Sequence, residues 1–531
     1  MSETVAADEE VEFDPQRDRL VITASSLGTV FEWYDFFVYG TLAALLGRLF
    51  FAQVESATLA FLLSLATFAV GFLVRPIGAV IFGYLGDKVG RKYTFLVTIT
   101  LMGLATACIG LLPTHAQIGV VAPILLVVLR VIQGLALGGE YGGAAIYVAE
   151  HAPRNRRGFY TGFIQASVSV GFLLALGVVI GTTAIVGEEE FVIWGWRVPF
   201  LISLLLLAIS LWIRLKLNES PVFQKMKAAG RNAANPLKES FESWTNVKLI
   251  LVALFGIAAG LTVIWYNAQF YTLYFLQSTS KVSEADAREL IAYGVIVAAP
   301  AFVFFGWLSD KVGRRKVMIT GYALTLALLF PLYQMIAGAA NPALAEAMAN
   351  NPVTISVPDD CGYDALSDVQ ATECARSLEW FVGSGIDFSR TDGPFSVEVA
   401  DIRFLNFDPQ GFADAVGAAG YPERSDPEAR SDGTVLFGII ILSLLSAATY
   451  GPVAAILVEL FPARIRYTSM SIPYHIGTGV FGGLLPFVSQ LIVVQTGAVF
   501  AGLWYTFVIV SVALVTTMFF LPETAGKDIS G

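Results

Sequence analysis

Long apolar runs alternate with short polar connectors along the whole chain. The pattern predicts twelve membrane crossings, at residues 22–50, 57–84, 93–112, 118–149, 158–186, 193–216, 247–277, 288–309, 316–338, 434–460, 467–495 and 499–521. An α-helix needs about 20 apolar residues to cross a bilayer. Only 14% of the residues are charged, whereas about a quarter are charged in soluble domains. The chain is therefore predicted to be an all-α polytopic membrane protein.

The distribution of Lys and Arg predicts which side of the membrane each connector faces. Basic residues concentrate in the connectors after even-numbered runs, whereas the connectors after odd-numbered runs nearly lack them or are acidic. Because cytoplasmic loops carry the excess of Lys and Arg, we expect the basic connectors and both termini in the cytoplasm. The first residues are acidic and lack the basic start of a signal peptide, so the first run is expected to insert the chain and be retained.

Two short segments occur twice, which indicates an internal duplication. GYLGDKVGRK at 83–92 recurs as GWLSDKVGRRK at 306–316, and AAIYVAEHAP at 144–153 recurs as AAILVELFP at 454–462. More residues separate the second pair than the first, so an insertion lies between residues 316 and 454. We therefore predict two parallel six-helix repeats, the second of which carries an extra polar segment.

These patterns divide the chain into consecutive regions. The predicted regions are an acidic cytoplasmic tail at 1–19, a six-helix bundle at 20–217, a cytoplasmic linker at 218–246, a second six-helix bundle at 247–338 and 434–521, an acidic extracytoplasmic insertion at 339–433, and a cytoplasmic tail at 522–531.

The insertion contains two of the three cysteines, Cys361 and Cys374. On an oxidising side of the membrane they could form a disulfide that closes a loop of about a dozen residues, and the alternative is two unpaired thiols in a flexible loop. The acidic charge of the insertion could attract cations or serve solubility alone. The sequence shows no metal-ligand pair and no Ser/His/Asp set at helical spacing, so we predict neither a metal site nor an enzyme.

The doubled connector resembles the signature of the major facilitator superfamily. Further segments resemble its metabolite:proton symporter family: GTVFEWYDFFVYG in the first run, RVIQGLALGGEYGGAAIYVAEHAP in the fourth, WGWRVPF at the start of the sixth, and NESPVFQ after it. That family takes up small metabolites such as proline, betaine, oxoglutarate, citrate or shikimate with protons. The resemblance covers nearly all of the chain outside the first residues and the insertion, and its motifs do not specify the substrate.

The resemblance implies a secondary active transporter in the bacterial inner membrane. It would take up a small polar metabolite with protons by alternating access, using the proton gradient and no cofactor, as a monomer in the lipid bilayer and without nucleic acid. Exporters of the family carry a Gly-Pro-x-x-Gly-Gly element in span five, and this chain has no proline there, which favours import. The alternatives are an exporter or uniporter, or a receptor that senses solute through the insertion.

Ionisable residues inside membrane spans are costly and are candidates for function. The chain places six such residues inside its apolar runs: Glu32, Asp35, Arg75, Arg130, Glu140 and His475. Glu32 and Asp35 lie one turn apart on the first span, where two carboxylates repel each other. We predict that one of them carries the coupled proton. The alternative is a structural ion pair with Arg75 or Arg130.

The fourth span places a polar set on one helical face. Its members are Arg130, Gln133, Glu140 and Tyr141. Arg130 and Glu140 are too far apart along the helix axis to pair, so we expect an acid of the first span to pair with Arg130. By the resemblance, this face lies beside the cavity, where Arg130 would bind a substrate carboxylate or modulate the coupling acid. Arg75 is either a second such residue or a surface anchor beside Pro76.

Spans seven and eleven hold further candidates. Asn267, Tyr271 and Tyr274 share one stripe at α-helical spacing, and tyrosine faces suit an amine through cation–π contact; an aromatic belt at the membrane surface is the alternative. His475 could titrate near neutrality or pack as a neutral side chain. Few basic residues lie deep in the second bundle, which favours a zwitterion or monocarboxylate over a polyanion.

The doubled connector itself is predicted to act as a conformational gate. Asp87 and Asp310 should favour the N-termini of spans three and nine electrostatically, with Arg91 and Arg314 sharing that role. Contacts that form in one state and break in the other bias a two-state equilibrium. The connector lies at the membrane surface, so we do not expect it to bind substrate.

Overall fold

The computed structural model describes residues 15–89, 91–139, 141–215 and 236–529, except the side chains of 15–25, 83–84, 86–92, 95, 141–144, 147, 214 and 236. Over these residues the protein is a bundle of twelve helical spans, which confirms the predicted fold. Eight spans are helices of at least 18 residues that are apolar enough to cross a membrane, and the helical segment Glu188–Gly195 meets the helix of span 6 at a bend of 62°.

The first six spans form the N half. They are Pro15–Thr41 with Ala43–Phe50 (span 1), Ala57–Leu73 with Arg75–Val89 (span 2), Arg91–Leu111 (span 3), Val121–Leu137 with Tyr141–His151 (span 4), Arg157–Val186 (span 5) and Arg197–Leu215 (span 6). Short helices at His115–Ile118, Glu188–Glu190 and Phe191–Gly195 lie between them, and Pro236–Glu242 precedes the second half.

The last six spans form the C half. They are Trp244–Thr279 (span 7), Glu284–Val312 (span 8), Arg314–Ala340 (span 9), Asp432–Leu460 (span 10), Arg466–Thr496 (span 11) and Leu503–Phe520 (span 12). The doubled connectors lie at one end of the bundle, called the connector side, and residues 341–431 lie at the other end, called the insertion side.

Several spans of the C half depart from regular α-helix. Span 7 contains π-helical stretches at Ala253–Ala258, Asn267–Tyr271 and Phe275–Thr279, and span 11 contains one at Gly477–Gly483. Span 10 breaks at Gly451 and Pro452. Proline lacks the N–H of the helical ladder, and a π-helical turn shifts the register of the residues that follow it. α-Helical spacing therefore does not hold through spans 7 and 11.

The insertion folds as a small α/β unit, which the sequence analysis did not predict. Its sheet has the order β2-β1-β3-β4, with β1 parallel to β2 and antiparallel to β3, and β3 antiparallel to β4. The strands are Val353–Val357 (β1), Phe388–Asp392 (β2), Ser396–Val399 (β3) and Ile402–Phe404 (β4), and the helices are Pro342–Asn350, Glu373–Gly383 and Pro409–Ala418.

A separate apolar core holds the insertion together. Ile355, Leu378, Phe381, Val397 and Phe412 are completely buried in it. Cys361 and Cys374 form a disulfide at its edge. Burial of alternate residues of β1 on this core explains why the segment folds in spite of its polar composition.

Glycines let the two halves approach closely on the connector side. A Cβ atom at Gly158 of span 5 would lie 2.2 Å from the carbonyl oxygen of Gly306 in span 8, and one at Gly306 would lie 2.3 Å from the oxygen of Gly158. Backbone is the obstacle in both cases, so no side-chain rotation can relieve the clash. This contact fixes how closely spans 5 and 8 cross.

Gly158→Ala should therefore force the two halves apart. We expect a loss of stability of about 1–3 kcal/mol, the usual cost of overpacking, measured by unfolding of the purified protein in detergent. Gly177→Ala, in the same span, is the matched control because a Cβ atom there meets nothing within 4 Å. Equal stability of the two variants would contradict the tight crossing.

Candidate functional site

Aromatic side chains from both halves meet in the centre of the bundle. We call this group the central aromatic cluster, and its members are Trp33, Phe36, Phe37, Tyr39, Phe68, Phe72, Phe172, Trp265, Tyr266 and Phe270, all of them buried. Across the interface between halves, the ring centroids of Phe37 and Trp265 are 4.9 Å apart and those of Phe72 and Tyr266 are 5.2 Å apart. Residues 33, 36 and 37 face the same way because they lie three and four positions apart on a helix.

Arg75 lies inside this cluster and is 1% exposed. Its guanidinium carbon is 4.0 Å from the ring centroid of Phe72 and 4.7 Å from that of Phe36. Span 2 breaks at Val74, directly before Arg75, and the new helix starts there. Arg75 thus lies in the interior, in contact with aromatic ring faces. The alternative interpretation, a surface anchor beside Pro76, required it to lie at the membrane surface.

One edge of the Arg75 guanidinium is left open. Its Nε and Nη2 atoms are buried and have no hydrogen-bond partner among the described residues. In arginine side chains generally, these two N–H groups form the edge that can donate two parallel hydrogen bonds to one carboxylate. Because a buried cation without an ion pair is costly, this edge is chemically suited to an incoming anion.

Arg130 is bound differently, and the expected pairing with an acid of span 1 is not present. Its Nη1 atom donates to Oε1 of Gln133 at 2.8 Å, and its Nη2 donates to the carbonyl of Phe68 at 3.2 Å. The guanidinium also packs on the rings of Phe36 and Tyr39. Neutral oxygens and ring faces thus stabilise Arg130, which joins spans 1, 2 and 4 of the N half.

Asp35 is buried near this network, and only its backbone, not its carboxylate, takes part in the hydrogen bonds described for it. Its Oδ1 atom has no hydrogen-bond partner among the described residues. Its backbone carbonyl accepts long hydrogen bonds of 3.4 Å from Gln133 Nε2 and Thr106 Oγ1. Glu32, one turn earlier, is also buried. Gln133 therefore connects the turn that carries Asp35 to Arg130.

The stripe predicted on span 7 does not form a single face. Asn267 donates to Thr506 and accepts from Tyr333, both in the C half, and Tyr271 packs on Tyr333. Tyr274 instead donates across the interface to the carbonyl of Gly40 at 2.7 Å. The π-helical turns of span 7 shift the register, so that Trp265, Tyr266 and Phe270 face the N half. The sequence analysis did not propose these three residues for the site.

The C half also buries polar side chains. Tyr266 packs on Phe72, the ring on which the Arg75 guanidinium lies at 4.0 Å. Tyr450, Tyr474 and His475 are buried as well. The hydroxyls of Tyr450 and Tyr474 are 2.8 Å apart. The Tyr266 hydroxyl and Nδ1 of His475 have no hydrogen-bond partner among the described residues. Tyr266 thus adds a side chain of the C half to the aromatic cluster that surrounds Arg75.

Two of the four predicted gate residues, Asp310 and Arg314, form an ion pair on the connector side, and the predicted helix partner of Asp310 is wrong. Asp310 accepts hydrogen bonds from the backbone N–H groups of Gly158 and Phe159, at 2.9 and 2.8 Å. It therefore binds the N-terminus of span 5 in the other half, and not that of span 9 as predicted. Glu523 binds the N-terminus of span 9 through the N–H groups of Arg314 and Arg315.

A buried ion-pair network extends this contact. The Arg314 guanidinium bridges Asp310, at 2.6 Å, and Glu459, at 3.2 Å. Glu459 also lies 3.7 Å from Arg157 of the N half. Of the other predicted site residues, Glu140 and the side chains of Asp87, Arg91 and Tyr141 lie outside the described residues.

Comparison with known proteins agrees with this architecture. The chain matches the family "Sugar (and other) transporter" over residues 20–246 and 416–531. It is 31% identical to the inner membrane metabolite transport protein YhjE of Escherichia coli (strain K12), over 94% of this chain and 93% of that protein. It is 30% identical to the glycine betaine/proline/ectoine/pipecolic acid transporter OusA of Dickeya dadantii (strain 3937), over 99% and 88%. It is 40% identical to the shikimate transporter of Escherichia coli (strain K12), over 60% and 73%.

Solved structures show the same fold. The crystal structure of the D-xylose-proton symporter aligns over 96% of this chain and 99% of that one, with a TM-score of 0.61 and 16% sequence identity. Transporters, and not enzymes, make up these relatives. The chain therefore belongs to the sugar (and other) transporter family of the major facilitator superfamily, and it is a multi-pass membrane transporter.

Proposed function

We propose that the protein imports a small zwitterion or monocarboxylate together with protons, in a bacterial inner membrane whose cytoplasmic face is the connector side. The open edge of Arg75 inside the central aromatic cluster is the observation that carries this proposal. The compounds named for the relatives, such as proline, glycine betaine and shikimate, carry a carboxylate group. A neutral sugar offers no negative charge to pair with a buried guanidinium.

The proposed binding mode uses the guanidinium of Arg75 and the aromatic rings around it. The substrate carboxylate would accept two hydrogen bonds from Nε and Nη2 of Arg75. An ammonium or quaternary amine would lie against the faces of Tyr266 and Trp265, where cation–π attraction replaces the lost hydration. The free Tyr266 hydroxyl offers a further hydrogen bond. Arg130 would hold spans 1, 2 and 4 in place without touching the substrate.

Asp35 is the proposed carrier of the coupled proton. It is buried, and its Oδ1 atom has no hydrogen-bond partner in the described part of the chain, so a proton can be held or released there without breaking an ion pair among those residues. Gln133 links this turn of span 1 to Arg130. A change in the charge of Asp35 can thus be transmitted through Gln133 to Arg130, which packs on Phe36 and Tyr39 of the central aromatic cluster.

Conversion of Arg75 to lysine should abolish tight substrate binding, because lysine cannot form the bidentate contact. We expect glycine betaine or proline to raise the melting temperature of the wild type, and their affinity to fall by roughly 10- to 100-fold in Arg75→Lys, since hydrogen bonds to charged groups contribute about 1.5–3 kcal/mol. Xylose should have no effect on either protein.

Arg130→Lys is the matched control, since Arg130 donates to neutral oxygens. It should lower stability more than affinity. If Arg130→Lys loses binding while Arg75→Lys keeps it, or if xylose alone stabilises the protein, the proposed binding mode is wrong.

Asp35→Asn should separate substrate exchange from accumulation. In proteoliposomes we expect the variant to exchange bound solute across the membrane at nearly the wild-type rate. Accumulation driven by a proton gradient should be lost, because asparagine cannot carry a proton. Asp401→Asn, in an exposed position of the insertion, should behave like the wild type. Persistent uphill uptake by Asp35→Asn would exclude Asp35 as the coupling acid, and wild-type uptake without proton movement would indicate a uniporter.

A further inference from the structure

The insertion is fastened firmly to the C half. Asp387 accepts a hydrogen bond from the N–H of Val499, between spans 11 and 12, at 3.1 Å. Lys281, between spans 7 and 8, donates from Nζ to the carbonyl of Pro422 at 3.0 Å, and its own carbonyl accepts from the N–H of Ser425. The insertion is also covalently continuous with spans 9 and 10. It therefore moves with the C half.

The insertion also reaches across to the N half. The Oδ1 atom of Asp368 accepts hydrogen bonds from the backbone N–H groups of Glu55 and Ser56, at 2.7 and 3.2 Å. Glu55 and Ser56 connect span 1 to span 2, and Ser56 is the N-cap of span 2. The carboxylate thus lies at the positive end of a helix dipole, where its charge is stabilised.

Apolar contacts surround this polar one. Leu62 of span 2 is buried together with Ala365 of the insertion and Val494 of span 11. Close by, a Cβ atom at Gly383 of the insertion would lie 3.5 Å from Oγ1 of Thr58 in span 2. The insertion therefore bridges the two halves at their insertion side.

This bridge lies beside the space through which solute would enter. A cavity of about 870 Å³ on the insertion side is lined by both halves and by the insertion, with Thr58 and Gly383 among its lining residues. The halves also touch there directly, through the ion pair of Arg48 with Glu284 at 2.7 Å. When the halves part on this side, as alternating access requires, the contact of Asp368 must break.

We propose that the insertion is a latch that holds the two halves together on the insertion side, and that Asp368 closes it. The latch sets how often the entrance opens. It does not depend on which solute or ion the protein carries, because its contacts lie at the surface end of spans 1 and 2, away from Arg75 and Asp35.

Removal of the Asp368 carboxylate should shift the conformational equilibrium. Spin labels are attached at Ala116→Cys in the N half and Trp504→Cys in the C half, in a Cys108→Ser background. Double electron–electron resonance then measures the distance between the two labels in the absence of solute. We expect Asp368→Ala to raise the ratio of open to closed protein about tenfold, as loss of charge-assisted hydrogen bonds implies. The matched control Asp401→Ala removes the same charge from an exposed position of the insertion and should leave the ratio unchanged. Equal ratios in the two variants would overturn the proposal.

A cross-link tests the latch in a protein that keeps Asp368. Thr58→Cys with Gly383→Cys, in the same Cys108→Ser background, places two thiols at a separation compatible with a disulfide. Oxidation should abolish opening on the insertion side and reduce transport at least tenfold relative to either single variant treated identically. The single variants also control for reduction of the native disulfide. Opening and transport at the level of the single variants, with the cross-link formed, would exclude a latch.

The two experiments distinguish this proposal from the proposed function. The spin-label distances need neither a substrate nor a proton gradient, so they test the latch even if the solute proves to be of another class. Conversely, if the insertion proves to stay in contact with the N half throughout transport, the latch is excluded but the binding mode proposed at Arg75 still stands.

Discussion

A buried guanidinium with an open edge is the constraint on which the centre of this transporter depends. Arg75 cannot reach water, and ring faces of Trp33, Phe36 and Phe72 stabilise its charge without occupying its Nε and Nη2 atoms. Aromatic faces attract a cation but cannot accept the two parallel hydrogen bonds that a carboxylate accepts. Tyr266 of the C half packs on Phe72, one of these rings, so the cluster around Arg75 is complete only where the two halves come together. Under the proposed function, substrate recognition at Arg75 therefore depends on how the two halves are placed relative to each other.

The halves are held together at both ends by a similar polar contact. On the connector side, backbone contact between Gly158 and Gly306 is reinforced by Asp310, which binds the first N–H groups of span 5. On the insertion side, the carboxylate of Asp368 binds the N–H groups before span 2 in the same manner. In each case an acid of the C half or of the insertion attached to it binds a helix N-terminus of the N half, where the macrodipole favours negative charge. Alternating access, as proposed, requires such contacts to form in one state and to break in the other.

Local sequence pattern predicted the spans, the duplication and the position of the insertion, because apolar length and repeated motifs are properties of contiguous residues. It also marked Arg75, Arg130 and Asp35 as candidates, since charge inside an apolar run is conspicuous. It failed where partners come from distant segments: Arg130 binds Gln133 and backbone carbonyls instead of an acid, and Asp310 binds span 5 instead of span 9. The stripe of Asn267, Tyr271 and Tyr274 failed for another reason, because π-helical turns change the register that α-helical spacing assumes. The core of the insertion was missed because its few apolar residues are scattered through a polar segment.

The position of a bound substrate tests the central role of Arg75 most directly. An electron cryo-microscopy structure of the protein in lipid nanodiscs with glycine betaine should show the carboxylate about 3 Å from both Nε and Nη2 of Arg75, with the quaternary amine against the rings of Trp265 and Tyr266. A solute bound elsewhere, with the open edge of Arg75 filled by a carboxylate of the protein itself, would contradict that role.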